Sequence, residues 1–327
     1  MKIGIIGAGT IVPDFLLASS YIKEIEIKGI CGVLNDKTKM ENLSKSFKIP
    51  KIYFNYDEML NDDEIDTIYV AVPNILHYSF SLKALEKGKN VICEKPFVVK
   101  ENEAIQLKET AIKHGLFLFE AISNLYYPNY LKVKELINKL GKIKIVQINY
   151  SQYSRRYEQF KNGVILPVFD PKKAGGALMD LNVYNIHFVT GLFGIPKDIM
   201  YYANIEKGID TSGVLMLEYE GMQCVCIAAK DCKAPLSINI QGDEGYIHSE
   251  SAANYFVEFE YGDNLGNTKK YTLNSKPFDE RLYYELTEFC NILEDKNYKL
   301  MTNRLNHSIE VVGLLEKARN LANIKFE

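Results

Sequence analysis

Glu94-Lys95-Pro96 closes a short apolar run, Val91-Ile92-Cys93, and puts a carboxylate, an ammonium and a stiffened backbone where a core strand gives out. Ligands of open parallel sheets bind outside the carboxyl ends of the strands, so a lysine there points to where chemistry occurs. Partly desolvated, it is placed to exchange a proton with a substrate hydroxyl. An isolated lysine after a strand is ordinarily a surface residue. Here Pro96, which rigidifies the backbone, and Glu94, a partner for the charge, shift the reading toward function. Far upstream, Ile6-Gly7-Ala8-Gly9-Thr10-Ile11-Val12 sets Gly-x-Gly after one strand and at the mouth of a helix. Glycine permits the tight turn and the close approach of backbone to a pyrophosphate, while the helix N-terminus offers N–H groups and partial positive charge. Gly7, Gly9, Thr10 and Ile11 are therefore candidates to cradle a dinucleotide. Val12 stands where the third glycine of the fingerprint belongs, and the competing reading is a bare strand–helix turn. Turn and lysine together suggest a nicotinamide dinucleotide with a proton-transfer group at its reactive end.

The end of the second strand separates the two nicotinamide cofactors: an acid holds a ribose hydroxyl, a base accepts a 2′-phosphate. That strand ends Val33-Leu34-Asn35-Asp36-Lys37, with Leu34 and Asn35 at the deciding positions. Absence of an acid at Leu34 inclines the choice from NAD toward NADP. Asp36 is a candidate cap for the following helix, and Lys37 or Lys39 a candidate for a phosphate.

These residues need a scaffold, and the pattern of elements supplies one. The first part of the chain alternates apolar runs with amphipathic stretches, as repeated βαβ units do. Strands are expected at 2–6, 25–33, 52–54, 67–72, 90–93 and 116–122. Helices are expected from Ile11 onward, with Pro13 in the first turn, and at 37–47, 56–61, 75–87 and 101–114. The strands are continuously apolar, as in a parallel sheet covered on both faces. Beyond 123–128 the pattern changes to a helix at 128–140, a strand at 143–150, a glycine- and proline-rich loop at 162–176 and a helix at 178–192. Strands then follow one another at 199–205, 211–219, 223–229, 235–241 and 255–261, which argues for an antiparallel sheet. Helices at 281–294 and 303–322 finish the chain. The expected fold is α/β: a Rossmann domain over 1–123, then an α+β domain over 124–327 with a large, open, mostly antiparallel sheet.

Composition narrows the function. The 327 residues carry a formal charge of −3, which gives no electrostatic reason to expect nucleic acid or an anionic membrane as partner. No apolar run reaches bilayer length, and the N-terminal strand runs into the glycine turn without a signal-peptide pattern; a cytoplasmic location is expected. The six cysteines form no CxxC pair and no zinc-like spacing, so reduced, structural thiols and no metal are expected.

With the glycine turn, Val72-Pro73-Asn74, Glu94-Lys95-Pro96 and Gly175-Gly176-Ala177-Leu178-Met179-Asp180 in this order, the chain resembles the glucose–fructose oxidoreductase / inositol dehydrogenase / MocA family over essentially its whole length. The resemblance implies NAD(P)-dependent oxidation or reduction of a sugar, polyol, cyclitol or dihydrodiol-like compound. It puts Val72, Pro73 and Asn74 against the cofactor, and His77 near the nicotinamide end. A first-turn histidine satisfied by local backbone is the equal alternative for His77. Glu94 joins the cofactor-side candidates.

Many members carry histidine four residues after Asp180; here Tyr184 holds that place. This looks like the branch, dimeric dihydrodiol dehydrogenase among it, in which a tyrosine and the Glu-Lys-Pro lysine share the catalytic role. On a regular helix Asp180, Tyr184 and His187 would project from one face. Asp180 is then the substrate-orienting carboxylate and Tyr184 a proton donor, whereas His187 reads as core. The adjacent Gly-Gly run favours function, since close backbone approach needs glycine. Asn124 at the domain junction and Arg155 in Ser154-Arg155-Arg156 are further substrate-binding candidates, with Asn182 a weaker one. Leu125 replaces an arginine of many relatives. Apolar residues on the later strands (Val214, Met216, Val225, Ile227) suggest a homodimer or homotetramer through the second sheet. The alternative function is a non-catalytic NAD(P)-sensing protein that kept the fold; retention of Lys95, Asp180 and Tyr184 and the lack of a DNA-binding motif argue against it.

Overall fold

The computed structural model describes residues 1–274 and 281–326. Six strands, β1 (Lys2–Ile6), β2 (Glu26–Cys31), β3 (Lys51–Tyr53), β4 (Thr67–Val70), β5 (Asn90–Glu94) and β6 (Leu118–Ala121), alternate with helices α1 (Val12–Ser19), α2 (Lys37–Phe47), α3 (Tyr56–Leu60), α4 (His77–Glu86) and α5 (Glu101–His114). The strands pair in the order β3-β2-β1-β4-β5-β6, every pair parallel. Strand order reverses between β1 and β4, the switch point at which such sheets open a crevice for ligands. Because all six run the same way, the turns after β1, β2, β4 and β5 lie along one edge. Ile3, Ile5, Ile30, Ile68, Val70, Val91 and Ile92 are fully buried, which accounts for strands that read as continuous apolar runs.

In the second part of the chain, α6 (Pro128–Leu136) and a 3-10 turn (Ile137–Leu140) precede β7 (Ile143–Ser151) and the short α7 (Tyr157–Lys161). The expected helix at 178–192 is divided: Leu178–Asn182 is a π-helical turn, and α8 (Val183–Phe193) continues from it. Next come β8 (Asp198–Glu206), β9 (Ile209–Tyr219), β10 (Met222–Ala229), β11 (Ser237–Gly242), β12 (Gly245–Ser249), β13 (Phe259–Asp263) and β14 (Thr268–Tyr271). They form one sheet, β14-β13-β12-β11-β7-β10-β9-β8, antiparallel except between β7 and β10. The large, mostly antiparallel sheet expected from sequence is thus present.

Two strands were not expected. β12 is short, and β14 is a lysine-bearing edge strand with no apolar alternation, the composition that keeps an edge from pairing with another chain. The strand expected at 255–261 begins late for a visible reason. Asn129 donates to the carbonyls of Phe256 (3.1 Å) and Val257 (2.6 Å), so those groups are spent on a side chain rather than on a ladder.

α9 (Tyr283–Glu294) and α10 (Tyr298–Leu321) close the chain. Two compact units result: residues 1–122 with 281–312, and residues 123–274 with 313–326. α9 belongs to the first unit, where Phe289 stacks on Phe119 of β6 with ring centroids 4.4 Å apart. No helix among the described residues is long and apolar enough to cross a membrane.

Candidate active site

In the first unit the candidates line the carboxyl edge of the parallel sheet. Gly7 has φ of +105°, and a Cβ there would lie 2.2 Å from the carbonyl oxygen of Ala71. Its N–H donates to the Cys31 carbonyl at 2.8 Å, tying the end of β1 to β2. Only glycine fits between three strand ends. A Cβ on Gly9 would meet nothing closer than 3.5 Å, so the chain's own packing does not demand glycine there. Val12, at the place of the third glycine, is fully buried. α1 opens with no side-chain cap, its proline in the first turn as expected, and Asp14 is held by Arg281 at 2.9 Å. Thr10 is exposed and Ile11 half-buried at this helix mouth. The fit to a dinucleotide phosphate is good: a constrained turn, an open second glycine and an uncapped helix end.

After β2, Leu34 is 72% exposed and Asn35 is exposed. Asp36 takes the N-cap position of α2 but makes no capping bond with its side chain, and Lys37 lies 3.8 Å from Glu41. Val72, Pro73 and Asn74 are half-buried in the turn after β4.

His77 opens α4 and is buried. One ring nitrogen lies 2.9 Å from the Pro96 carbonyl, the other 2.9 Å from the Val72 carbonyl. Burial holds its pKa below the usual imidazole value. The local-backbone reading is therefore the one the geometry favours: the ring braces the turn after β4 against the turn after β5.

Lys95 is half-buried and the Lys95-Pro96 bond is cis. Glu94, expected on the cofactor side, turns inward. Its carboxylate accepts the Tyr69 hydroxyl and, at 3.2 Å, the backbone N–H of Lys95. Burial raises its pKa, with Tyr69 and nearby Lys95 and Arg281 opposing. Glu94 anchors the root of Lys95.

In the second unit the Gly-Gly run has a structural cause. A Cβ on Gly175 would meet the Pro167 carbonyl oxygen at 2.7 Å, and one on Gly176 the Asp210 carboxylate at 2.0 Å. The close approach inferred from these glycines is to the chain itself, not to a ligand. Asp210 is fully enclosed and accepts the Leu178 N–H at 2.6 Å and the Tyr201 hydroxyl at 2.8 Å, fastening the start of the π turn. Burial pushes its carboxyl up to about 6, against both hydrogen bonds. The turn presents Asp180, whose carboxylate pairs with Lys230 at the end of β10. Sequence reasoning missed Lys230; its only cue was a lysine directly after an alternating strand.

Tyr184 is 7% exposed, its ring 6.5 Å from that of Tyr150. The π turn displaces Asp180 from the regular i, i+4 stacking over Tyr184 that a plain helix would give. Asn124, a substrate-binding candidate in the sequence, is fully buried and donates to the Tyr184 carbonyl at 2.8 Å, bracing α8. Asn182 is likewise buried, accepting from Asn185 and donating to the Cys226 carbonyl at 3.3 Å. His187 is in the core, as expected. Arg155 is exposed in the turn before α7. Among the described residues no group of three or more His, Cys, Asp or Glu side chains is arranged to hold a metal.

Comparison with known proteins accords with both units. Residues 1–122 match the family model described as the GFO_IDH_MocA oxidoreductase family, NAD-binding Rossmann fold, and residues 130–248 match the GFO/IDH/MocA C-terminal domain. A scyllo-inositol 2-dehydrogenase (NADP(+)) of Bacillus subtilis is 28% identical over 330 residues, covering 100% of this chain and 98% of that protein. A trans-1,2-dihydrobenzene-1,2-diol dehydrogenase of Xenopus tropicalis is 30% identical over 256 residues, 76% of this chain and 75% of that protein. In fold the chain is similar to a 3-ketoreductase from Actinomadura kijaniata, solved with NADP and TDP-benzene, at a TM-score of 0.83 and 18% identity over 98% of this chain and 97% of the other. It is also similar to a levoglucosan dehydrogenase solved with NADH and levoglucosan, at 0.81 and 15% over 99% and 98%.

Proposed function

The chain belongs to the Gfo/Idh/MocA oxidoreductase family, and we propose that it is an NAD(P)-dependent dehydrogenase or reductase of sugar, cyclitol or dihydrodiol-like substrates. The observation that carries this reading is the carboxyl edge of the parallel sheet, where the constrained turn at Gly7 and the rooted Lys95 lie along one rim. Gly7, Gly9, Thr10 and Ile11 would hold the pyrophosphate, Leu34 and Asn35 the adenosine ribose, and Val72, Pro73 and Asn74 the nicotinamide half. A bound nicotinamide supplies the hydride acceptor or donor. Lys95 and Tyr184 move the proton to or from the substrate oxygen, and Asp180 orients the substrate by accepting its hydroxyl hydrogens. Holding the reacting groups together removes much of the entropic barrier. The missing acid at Leu34 and the NADP named for the Bacillus relative and the ketoreductase support NADP; the NADH of the levoglucosan enzyme supports NAD in the same fold.

The open face of the second sheet supports a homodimer or homotetramer. Met200, Met216 and Val225 stand in register across β8, β9 and β10, as do Tyr202, Val214 and Ile227, and none of the six is buried.

Nicotinamide fluorescence with NADH and NADPH, followed by turnover on an aldose, polyol and diol panel, tests the assignment. Lys95→Ala is expected to retain cofactor binding and lose turnover by roughly 100-fold or more, and Tyr184→Phe to lower kcat strongly. Normal turnover in either variant removes that residue from proton transfer. Cofactor binding without turnover on any substrate is the outcome expected of a non-catalytic sensor.

A further inference from the structure

Lys230 is a lysine whose side chain is only 5% exposed, while its partner Asp180 is 29% exposed. The ammonium therefore lies on the interior side of the pair and the carboxylate on the outer side. We propose that Lys230 is a positioning residue for substrate: held beneath Asp180, it fixes the carboxylate that receives the substrate's hydroxyl groups. The inference rests on the oxidoreductase reading above and deepens it.

A buried ammonium is costly unless it is paired. Lys230 has Asp180 as its ion-pair partner and the face of Phe169 at 5.5 Å. Its backbone is pinned on both sides. The N–H donates to the Thr211 carbonyl at 2.8 Å, and the carbonyl accepts the Ser154 N–H at 2.9 Å. The lysine is thus rooted between β9 and the turn that carries Arg155, and its stem spans from the end of β10 to the π turn. Two other acids stand near it and are otherwise engaged. Asp210 takes the Leu178 N–H and the Tyr201 hydroxyl, and Asp231 takes the hydroxyls of Thr211 and Ser212. Asp180 is the carboxylate that Lys230 orients.

Together the two residues carry no net charge, so the pair itself adds little attraction for an anionic group. Without the ammonium, the Asp180 carboxylate would lose its cationic partner and become easier to protonate.

The test uses the full-length protein with the best neutral substrate of the panel. Lys230→Met is expected to lower kcat/KM by tens-fold and to move the acid limb of its pH profile to higher pH; Lys230→Arg is expected to restore most of both. Lys230→Met on an Asp180→Asn background should cost little more than Asp180→Asn alone, since the lysine acts through the carboxylate. If the methionine variant does not fold, Lys230→Gln, which keeps a donor without the charge, should show the same displaced limb. An unmoved pH profile in a folded variant, or losses that multiply in the double variant, would overturn the proposal. Wild-type protein with no turnover at all would instead end the oxidoreductase reading, so the two failures are distinguishable.

Discussion

Asp210 is a carboxyl whose solvation and bonding pull in opposite directions. The Leu178 N–H and the Tyr201 hydroxyl favour its charged form, yet burial wins and raises the carboxyl from 3.8 to about 6. A raised folded-state value means the native protein holds this proton after the unfolded chain has released it. The contribution to stability is therefore largest at low pH and is lost as pH rises from about 4 through about 6. A rise from 3.8 to about 6 corresponds to about 3 kcal/mol. Asp210→Asn keeps an acceptor for both donors and removes the charge. It is expected to gain on wild type in urea unfolding as pH rises from 4.5 to 8, by up to that amount. A difference that stays flat across this range would show that the carboxyl is not titrating there. Residue-level legibility divides along similar lines. The placement of Lys95 and of the glycine turn at strand ends was readable because each lies within one short stretch of sequence. Lys230 was not, because its meaning depends on Asp180 fifty residues earlier, and spacing along one helix says nothing about a strand packed beside it.

At the scale of elements, the glycines show how one residue type carries two meanings. Gly7 is demanded by its own surroundings, since a side chain there would strike the Ala71 carbonyl and would have to adopt φ of +105°. Gly7→Ala is expected to cost about 3 kcal/mol in stability from backbone strain and steric conflict. It should also weaken nicotinamide cofactor binding by displacing the turn. An unchanged melting temperature would mean the strand ends can separate at no cost. Gly9 faces no such obstacle, so Gly9→Ala should leave the melting temperature nearly unchanged and lower cofactor affinity alone. Calorimetry of the two variants beside an NADPH titration separates the structural glycine from the binding one. The Gly175-Gly176 run, which in sequence signals a close backbone approach, fits closely against Pro167 and Asp210. Glycine in sequence reports that something is near, not what. The π turn at Leu178–Asn182 was also invisible. Its residues have ordinary helical periodicity, and the carboxylate that holds its first N–H, Asp210, lies elsewhere in the chain.

At the scale of the whole molecule, the alternation of apolar runs announced both sheets, because a parallel sheet covered on both faces and an antiparallel one impose different patterns. What it did not announce is that α9 returns to the first unit. Amphipathic periodicity says which face of a helix is buried and leaves open against which sheet; Phe289 on Phe119 supplies that answer. The same logic leaves one surface unaccounted for within the second unit. Leu215, Leu217, Cys224 and Cys226 are buried on one face of β9 and β10, and the alternate residues Val214, Met216, Val225 and Ile227 face the other way beside exposed Met200 and Tyr202. An apolar face in register across three strands is costly to leave in water. A two-fold arrangement would lay this patch on its own copy, each residue meeting its symmetry partner's surroundings. Charges introduced in the middle of such a contact are then doubled and brought together. Met216→Lys with Val225→Lys is accordingly expected to convert an assembled species to monomer in sedimentation equilibrium. Secondary structure should be unchanged, since both side chains point away from the unit's own core. A wild-type protein that sediments as a monomer at every concentration tested would show that the patch is not a self-contact. Unaltered assembly in the double variant would place the interface on another face.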